Sequence, residues 1–332
     1  MTAGPGGAAA ISLRPARPGD LPACVGVWHA GLTEYGVRVG RPPMPPTFGP
    51  LLGLLGHLLA TDPAGFWVAV ETGAGETARL APGDPADTEG PIVAFVSALR
   101  REHVWFLSML FVQPGYQERG LGRRLLARVL AGSEGATHAT CTDSVQPISN
   151  ALYSRFGMMP RLPVLELVGR PGRPVPGLPD GVRAVPFDLL RAGPTDGAGP
   201  HRLADALERL DRSTLGYAHP QDHAYLAAQG RIGYLYEGGG GSVVGYGYAS
   251  QVGRLGPIAV EEAALMGPVV GHLLGSVRPA GAFSAWVPGS ASGAVAALLE
   301  AGLQLEDFPA LVCWDRPFAD FERYVPITLA VL

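Results

Sequence analysis

The stretch VGRPGRPVPGLPDG, from Val168 to Gly181, divides the 332-residue chain almost in half. Its prolines lack an amide donor and its glycines cost entropy when ordered, so it reads as a linker. On either side of it, one order of elements is written twice. The first half opens with AISLRPA, a short strand, then a helix over GDLPACVGVWHAGLTEYG entered near Asp20. The proline-rich RPPMPPTFGP leads to a second helix from about Leu51. Strands follow at FWVAVE, PIVAFVSALR and HVWFLSMLFV, the first two joined by a polar, Gly-rich loop around Gly73 to Gly90. A helix after Gly120, a strand at THATCTD, a helix at VQPISNALYSRFG and a last strand at PVLELV complete this half.

The second half repeats the order. GVRAVP is a strand, helices fall near His201 to Arg212 and Gln221 to Ala228, and RIGYLYE, SVVGYGYAS and GRLGPIAV are strands. EEAALMGPVVGHLL, AFSAWVP, GAVAALLEAG and ALVCWD then read as helix, strand, helix and strand. This predicts two copies of one α+β unit, each a mixed, mostly antiparallel twisted sheet flanked by helices. The expected organisation is a flexible tail over 1–10, one domain over 11–168, a linker over 169–181 and a second domain over 182–332.

Composition narrows the function. Hydrophobic residues make up 47% and charged residues 16%, which suits a folded globular chain. A net charge of −4 gives no general attraction to nucleic acid, so nucleic acid is not an expected partner. The apolar run at Pro50 to Ala60 is too short to span a bilayer, and MTAGPGGAAA lacks a basic start and a long apolar core, so neither a membrane nor a secretory signal is expected. Three cysteines, Cys24, Cys141 and Cys313, are odd in number and far apart, as in a reducing cytoplasm. Neither a CxxC pair nor an HExxH helix is present, so no metal is expected. The chain has no Lys, which excludes a GK[ST] phosphate loop and Schiff-base chemistry.

The segment FVQPGYQERGLGRRLL, Phe111 to Leu126, carries the chemistry. Pro114 ends an apolar strand, and Gly115 and Gly120 permit backbone turns that a β-carbon forbids. Leu121, Leu125, Leu126, Val129 and Leu130 share one helix face, with Arg123, Arg124 and Arg128 elsewhere. Backbone donors, a positive helix end and guanidinium groups together make an anion site suited to phosphate. The plain alternative is a tight turn before a solvated surface helix. A dinucleotide fold is disfavoured, because its glycines follow the first strand and these follow the fourth.

Gln117-x-x-Gly120-x-Gly122, with LFVQP before it and LGRRLL after it, resembles the acetyl-CoA pyrophosphate loop of the GNAT superfamily of N-acetyltransferases. NALYSRFGM, Asn150 to Met158, resembles that family's second block. The resemblance implies a tandem-GNAT arrangement with acetyl-CoA as acyl donor. It implies that the pantetheine arm pairs with the backbone of Leu110, Phe111 and Val112. The pyrophosphate is then expected on the amides of Gln117, Glu118, Arg119, Gly120, Leu121 and Gly122, with Arg119, Arg123 or Arg124 reaching the phosphates and the Glu118 side chain facing solvent. Tyr153 matches the family's acid, which protonates the departing sulfur, and Asn150 lies one turn before it, facing the cofactor arm. The Val112 N–H is expected to polarise the thioester carbonyl.

A base is not legible. Glu34, Glu102, Asp143 and Ser108 are candidates, and a water chain is an alternative. Trp28, Glu34, Tyr35 and Ser108 are the expected acceptor side, with Phe48 and the proline-rich loop beside it. In the second copy, Glu261 and Glu262 occupy the helix start and would repel a pyrophosphate, while Leu298 and Val295 stand where Tyr153 and Asn150 would be. That copy is expected to be degenerate. The expectation is a cytoplasmic acetyl-CoA-dependent N-acetyltransferase, monomer or homodimer, acting on a primary amine of a small molecule. A non-catalytic acyl-CoA-binding or sensing module is the alternative.

Overall fold

The computed structural model describes residues 10–42, 44, 49–72, 90–189 and 200–332. Phe48, residues 1–9 of the expected tail and most of the expected loop around Gly73 to Gly90 lie outside them. The first half runs β1 (Ala10–Pro15), α1 (Leu21–Arg38), α2 (Gly49–Thr61), β2 (Phe66–Thr72), β3 (Ile92–Arg101), β4 (Val104–Val112), α3 (Leu121–Leu130), β5 (Thr137–Asp143), α4 (Pro147–Arg155) and β6 (Met159–Gly169). The second runs β7 (Arg183–Phe187), α5 (Pro200–Thr214), α6 (Pro220–Ala228), β8 (Ile232–Glu237), β9 (Val243–Ala249), β10 (Leu255–Val260), α7 (Met266–Ser276), β11 (Phe283–Pro288) and α8 (Ser292–Glu300). It ends with β12 (Gln304–Leu305), β13 (Ala310–Trp314) and β14 (Tyr324–Val325). Through α4 and α8 the two series agree element by element, as the sequence predicts.

By backbone proximity the chain divides into two compact units, 1–99 with 107–135, and 100–106 with 136–332. In the first unit the strand order is β1-β2-β3-β4, with β1 antiparallel to β2 and β2 antiparallel to β3. Every residue of β3 from Ile92 to Leu99 is buried, which is why it reads as an unbroken apolar run. Aromatic rings build this core: Phe95 stacks on Phe66 at 5.9 Å and on Phe111 at 5.7 Å, and Trp28 meets Phe111 edge-on at 6.4 Å.

The second unit holds a five-stranded sheet, β14-β10-β9-β8-β7, and the strand series β5-β13-β6-β11 with β12 on β6. Here the structure corrects the sequence reading of how each half ends. β13, from the end of the chain, lies between β5 and β6 and is antiparallel to both, with Val312 opposite Cys141 on one side and Leu162 on the other. The other edge of β6 pairs with β11. Apolar alternation marks a segment as a strand but does not say which neighbour it pairs with. The end of β13 is clamped to β5: the Asp315 carboxylate accepts from the His138 backbone amide at 3.0 Å and lies 2.8 Å from its Nδ1.

Residues 170–180 carry neither helix nor strand and are mostly exposed, but Val175 and Leu178 pack against the apolar cluster of the second half. A β-carbon at Gly271 on α7 would collide with the Pro176 carbonyl, so glycine there lets the segment lie against the helix. α7 and α8 pack tightly but less closely, since a β-carbon at Gly267 would come within 3.1 Å of the Gly293 carbonyl oxygen.

Candidate functional site

The turn between β4 and α3 is the clearest binding feature. β4 ends at Val112, and Pro114–Tyr116 form a single 3₁₀ turn in which the Tyr116 amide bonds the Gln113 carbonyl at 2.9 Å. The Gln117 amide is also spoken for, bonding the Pro114 carbonyl oxygen at 3.3 Å, while its side chain donates to the Val112 carbonyl oxygen at 3.2 Å. From there the pattern changes. Glu118 and Gly120 both take left-handed backbone angles, with φ of 62° and 74°. Gly120 caps α3, and the first helical bond is the Arg124 amide to the Gly120 carbonyl at 3.0 Å. Among the described residues, the amides of Glu118, Arg119, Gly120, Leu121, Gly122 and Arg123 find no protein acceptor. The first turn of α3 holds no acid. Bare amides at a helix start hold partial positive charge, which an anion satisfies.

The arginines divide by partner. Arg124 donates to the Ile11 carbonyl oxygen at 3.3 Å, and Arg128 lies over the Trp67 ring at 4.0 Å, so both are engaged in packing. Arg119 stacks over Tyr116 at 5.2 Å, whose hydroxyl donates to Glu71 at 2.5 Å. Arg123 is exposed and has no protein partner among the described residues. Glu118 is exposed. Leu121, Leu125, Leu126 and Val129 bury the other face of α3 and anchor it.

Leu110, Phe111 and Val112 are half-buried at the end of β4. α1 passes close by: a β-carbon at Gly31 would come within 3.4 Å of the Phe111 ring and 3.8 Å of the Val112 carbonyl oxygen. Of the expected acceptor-side residues, Trp28 packs on Phe111 and Tyr35 is buried. Ser108 is 8% exposed, and its Oγ has no hydrogen-bond partner, an acceptor and donor held without an internal mate. Glu34 instead pairs with Arg38 one turn later at 3.2 Å, on the solvent side of α1.

The second block stands on β5 and α4. Asn150 staples the turn between them, its Nδ2 donating to the carbonyls of Asp143, Ser144 and Gln146 at 3.0, 3.3 and 2.8 Å. Its Oδ1 is buried without a partner and is left as an acceptor. Tyr153 is buried; desolvation pushes its phenol above the ordinary value, a hydrogen bond with Ser149 pulls it back, and the nearby Cys313 thiol adds to the rise. Cys313 belongs to β13, so a strand from the far end of the chain contributes to the surroundings of Tyr153. Nothing in the sequence of either half signals this neighbour. Two other base candidates are occupied: Glu102 accepts from Arg212 at 3.0 Å and from the Ala218 amide at 3.2 Å, and Asp143 caps the Val145 amide at 3.1 Å.

In the second copy, Glu261 and Glu262 do precede α7, and the Leu265 amide is bonded to the Glu262 carbonyl oxygen at 2.9 Å. The Glu261 side chain pairs with Arg209. Leu298 is buried, and Val295 packs against the same apolar cluster.

That copy also holds a polar cluster which the sequence reading missed. Asp211 on α5 lies 3.1 Å from His223 Nε2 and 3.3 Å from His219 Nε2, and all three side chains are at most 3% exposed. The available signal was the spacing His219-Pro-Gln-Asp-His223, which opens a helix and puts two imidazoles one turn apart.

Residues 48–158 match the model of the acetyltransferase (GNAT) family. No curated protein matches the sequence. A crystal structure provisionally described as an acetyltransferase from Pyrococcus horikoshii is similar over 97% of this chain and 96% of its own, at 12% identity and a TM-score of 0.69. A GCN5-related N-acetyltransferase from Sphaerobacter thermophilus is similar over 94% and 98%, at 17% identity and a TM-score of 0.58. A tandem GNAT protein from the clavulanic acid biosynthesis pathway is similar over 93% and 99%, at 16% identity and a TM-score of 0.52. At these identities the structures speak for the fold, and they do so along nearly the whole chain. Residues 48–158 therefore carry the acetyltransferase (GNAT) family match, and nearly the whole chain shares the fold of a tandem GNAT protein.

Proposed function

We propose that the protein is an N-acetyltransferase that moves acetyl from acetyl-CoA to a primary amine of a small molecule, by direct attack in a ternary complex. The observation that carries this reading is the row of amides from Glu118 to Gly122 with no protein acceptor at the start of α3. A diphosphate supplies the missing acceptors and neutralises the helix end. Arg123, exposed and unengaged, adds a charge-assisted donor. The resemblance of the two sequence blocks to the family's pattern implies that both serve one acetyl-CoA.

In this mechanism the amine nitrogen attacks the thioester carbonyl carbon, whose oxygen is held by the Val112 N–H, and the carbon–sulfur bond breaks. The sulfur takes its proton from Tyr153, whose buried phenol stays protonated at neutral pH. Asn150 Oδ1 accepts from an amide of the cofactor arm. The acceptor lies toward Trp28, Tyr35 and Ser108. Since Glu34, Glu102 and Asp143 all have partners, the amine loses its proton to water, with the unpartnered Ser108 Oγ on the acceptor side free to hold that water.

Thermal denaturation provides the first test: acetyl-CoA at ~100 times its dissociation constant adds about 2.7 kcal/mol of stability. No shift would end the reading. The same pairing of carboxylates also favours a sensing module that binds acyl-CoA without turnover. Release of free thiol across a panel of amines separates the two, because a sensor releases none. A cytoplasmic location and a monomer or homodimer complete the proposal. Among the described residues no helix is long and apolar enough to cross a membrane.

A further inference from the structure

The Asp211, His219 and His223 cluster is independent of the acyl-transfer reading, and its geometry points to something the sequence did not suggest. We infer that these three side chains form a buried structural site for one divalent transition-metal ion, of the borderline class to which zinc belongs.

Convergence is the first ground. One nitrogen from each histidine and a carboxylate oxygen of Asp211 all lie within 4.8 Å of one another. The individual gaps, 3.1 Å from His223 Nε2 to Asp211 Oδ2 and 3.3 Å from His219 Nε2 to Asp211 Oδ1, match the spacing of ligands that share one ion. A metal about 2.0–2.1 Å from nitrogen and oxygen donors leaves neighbouring donors roughly 3 Å apart.

The second ground is His219 itself. It is fully buried, and neither of its ring nitrogens makes a hydrogen bond. If the ring were simply a cation paired with carboxylates, it would be drawn into aligned bonds of about 2.7–2.9 Å. Its nearest carboxylate oxygens instead stand off at 3.3 Å on Asp211 and 3.6 Å on Asp222. A buried imidazole aimed at a carboxylate without an aligned bond has the posture of a metal ligand.

The third ground is the outer layer. Ligating histidines are oriented through their other nitrogen, and ligating carboxylates through their other lone pairs. His223 Nδ1 lies 2.8 Å from the Tyr248 hydroxyl, and the Tyr246 hydroxyl donates to Asp211 at 2.6 Å. His219 Nδ1 faces Asp222, which Arg101 grips through two bonds of 3.2 Å. Imidazole and carboxylate donors suit zinc and its first-row neighbours.

The test uses the full-length chain without a histidine tag. Elemental analysis after exhaustive dialysis should find about one equivalent of a first-row metal per chain, falling to background in Asp211→Asn and His223→Gln and unchanged in His272→Gln. Because the cluster variants can fail to fold, the wild-type chain is also unfolded with chelator and refolded with Co²⁺ alone. The expected result is the visible absorption of a protein-bound Co²⁺ site at about one equivalent. Folded wild-type protein at background metal that gives no such absorption overturns the inference. In that case nitrogen NMR showing a doubly protonated His219 would assign the cluster to a metal-free ion network.

Discussion

The helix that follows the fourth strand starts twice in this protein, and the two starts differ in what they leave unsatisfied. At α3, left-handed Glu118 and Gly120 turn a run of amides away from the protein, and no acid lies in the first turn. At α7, two glutamates precede the helix, the Leu265 amide is bonded within the turn, and Gly267 is packed against Gly293. The α7 start also leaves the Ala263 and Ala264 amides without a protein acceptor among the described residues, but it sets two glutamates beside them, whereas the first turn of α3 holds no acid. The same holds further along: Tyr153 with its phenol in α4 has Leu298 as its counterpart in α8. The two copies thus share the scaffold and differ at these positions: an acid-free glycine turn and a phenol in one, two glutamates and a leucine in the other.

The sharpest way to break this contrast is Gly122→Asp, which puts a carboxylate among the bare amides of α3. Acetyl-CoA affinity measured by calorimetry should fall at least ~100-fold, about 2.7 kcal/mol, while folding is retained. Unchanged affinity would remove the turn from the binding site. Tyr153→Phe is next: turnover should slow by on the order of 10²-fold with the acetyl-CoA dissociation constant unaltered. A fully active variant takes Tyr153 out of the mechanism.

The third prediction concerns the strand supplied by the second half. Val312 is fully buried between β5 and β6, so Val312→Ala should cost about 2 kcal/mol in urea unfolding. Leu299→Ala, at a position 42% exposed, should cost far less. Equal, small losses at both positions would mean that β13 contributes little to the sheet. A chain ending at residue 170 lacks β13 and is expected to be insoluble or molten.

The pH profile tests burial of the acid. Burial raises the Tyr153 phenol above its ordinary value of 10.0, and an acid works only while protonated, so activity is kept below the raised value and lost above it. The alkaline fall that Tyr153→Phe abolishes should therefore be centred above pH 10. A fall centred below that would show the phenol to be solvated. The smallest effect is expected at Glu34→Gln. Its ion pair with Arg38 is solvent-exposed, so stability should change by no more than about 0.5 kcal/mol and turnover by less than about twofold.

Much of the architecture was legible because it is local. Hydrophobic period, prolines and glycines mark the strands and helices of both copies, and the spacing from Gln117 to Gly122 marks the glycine turn before α3. Resolution was lost where an outcome depends on partners far away in the chain. Glu102, a base candidate by position, proved to be bonded to Arg212 and to the Ala218 amide, more than a hundred residues away in the chain.

By itself the sequence determined the repeated element order, which rests on neighbours within a few residues. Only the tertiary structure decided that β13 fills the gap between β5 and β6, that Cys313 stands near Tyr153, and that Asp211, His219 and His223 converge. Strand pairing and side-chain convergence are long-range events, set by which surfaces bury each other once the chain has collapsed, and no local pattern of residues encodes the choice.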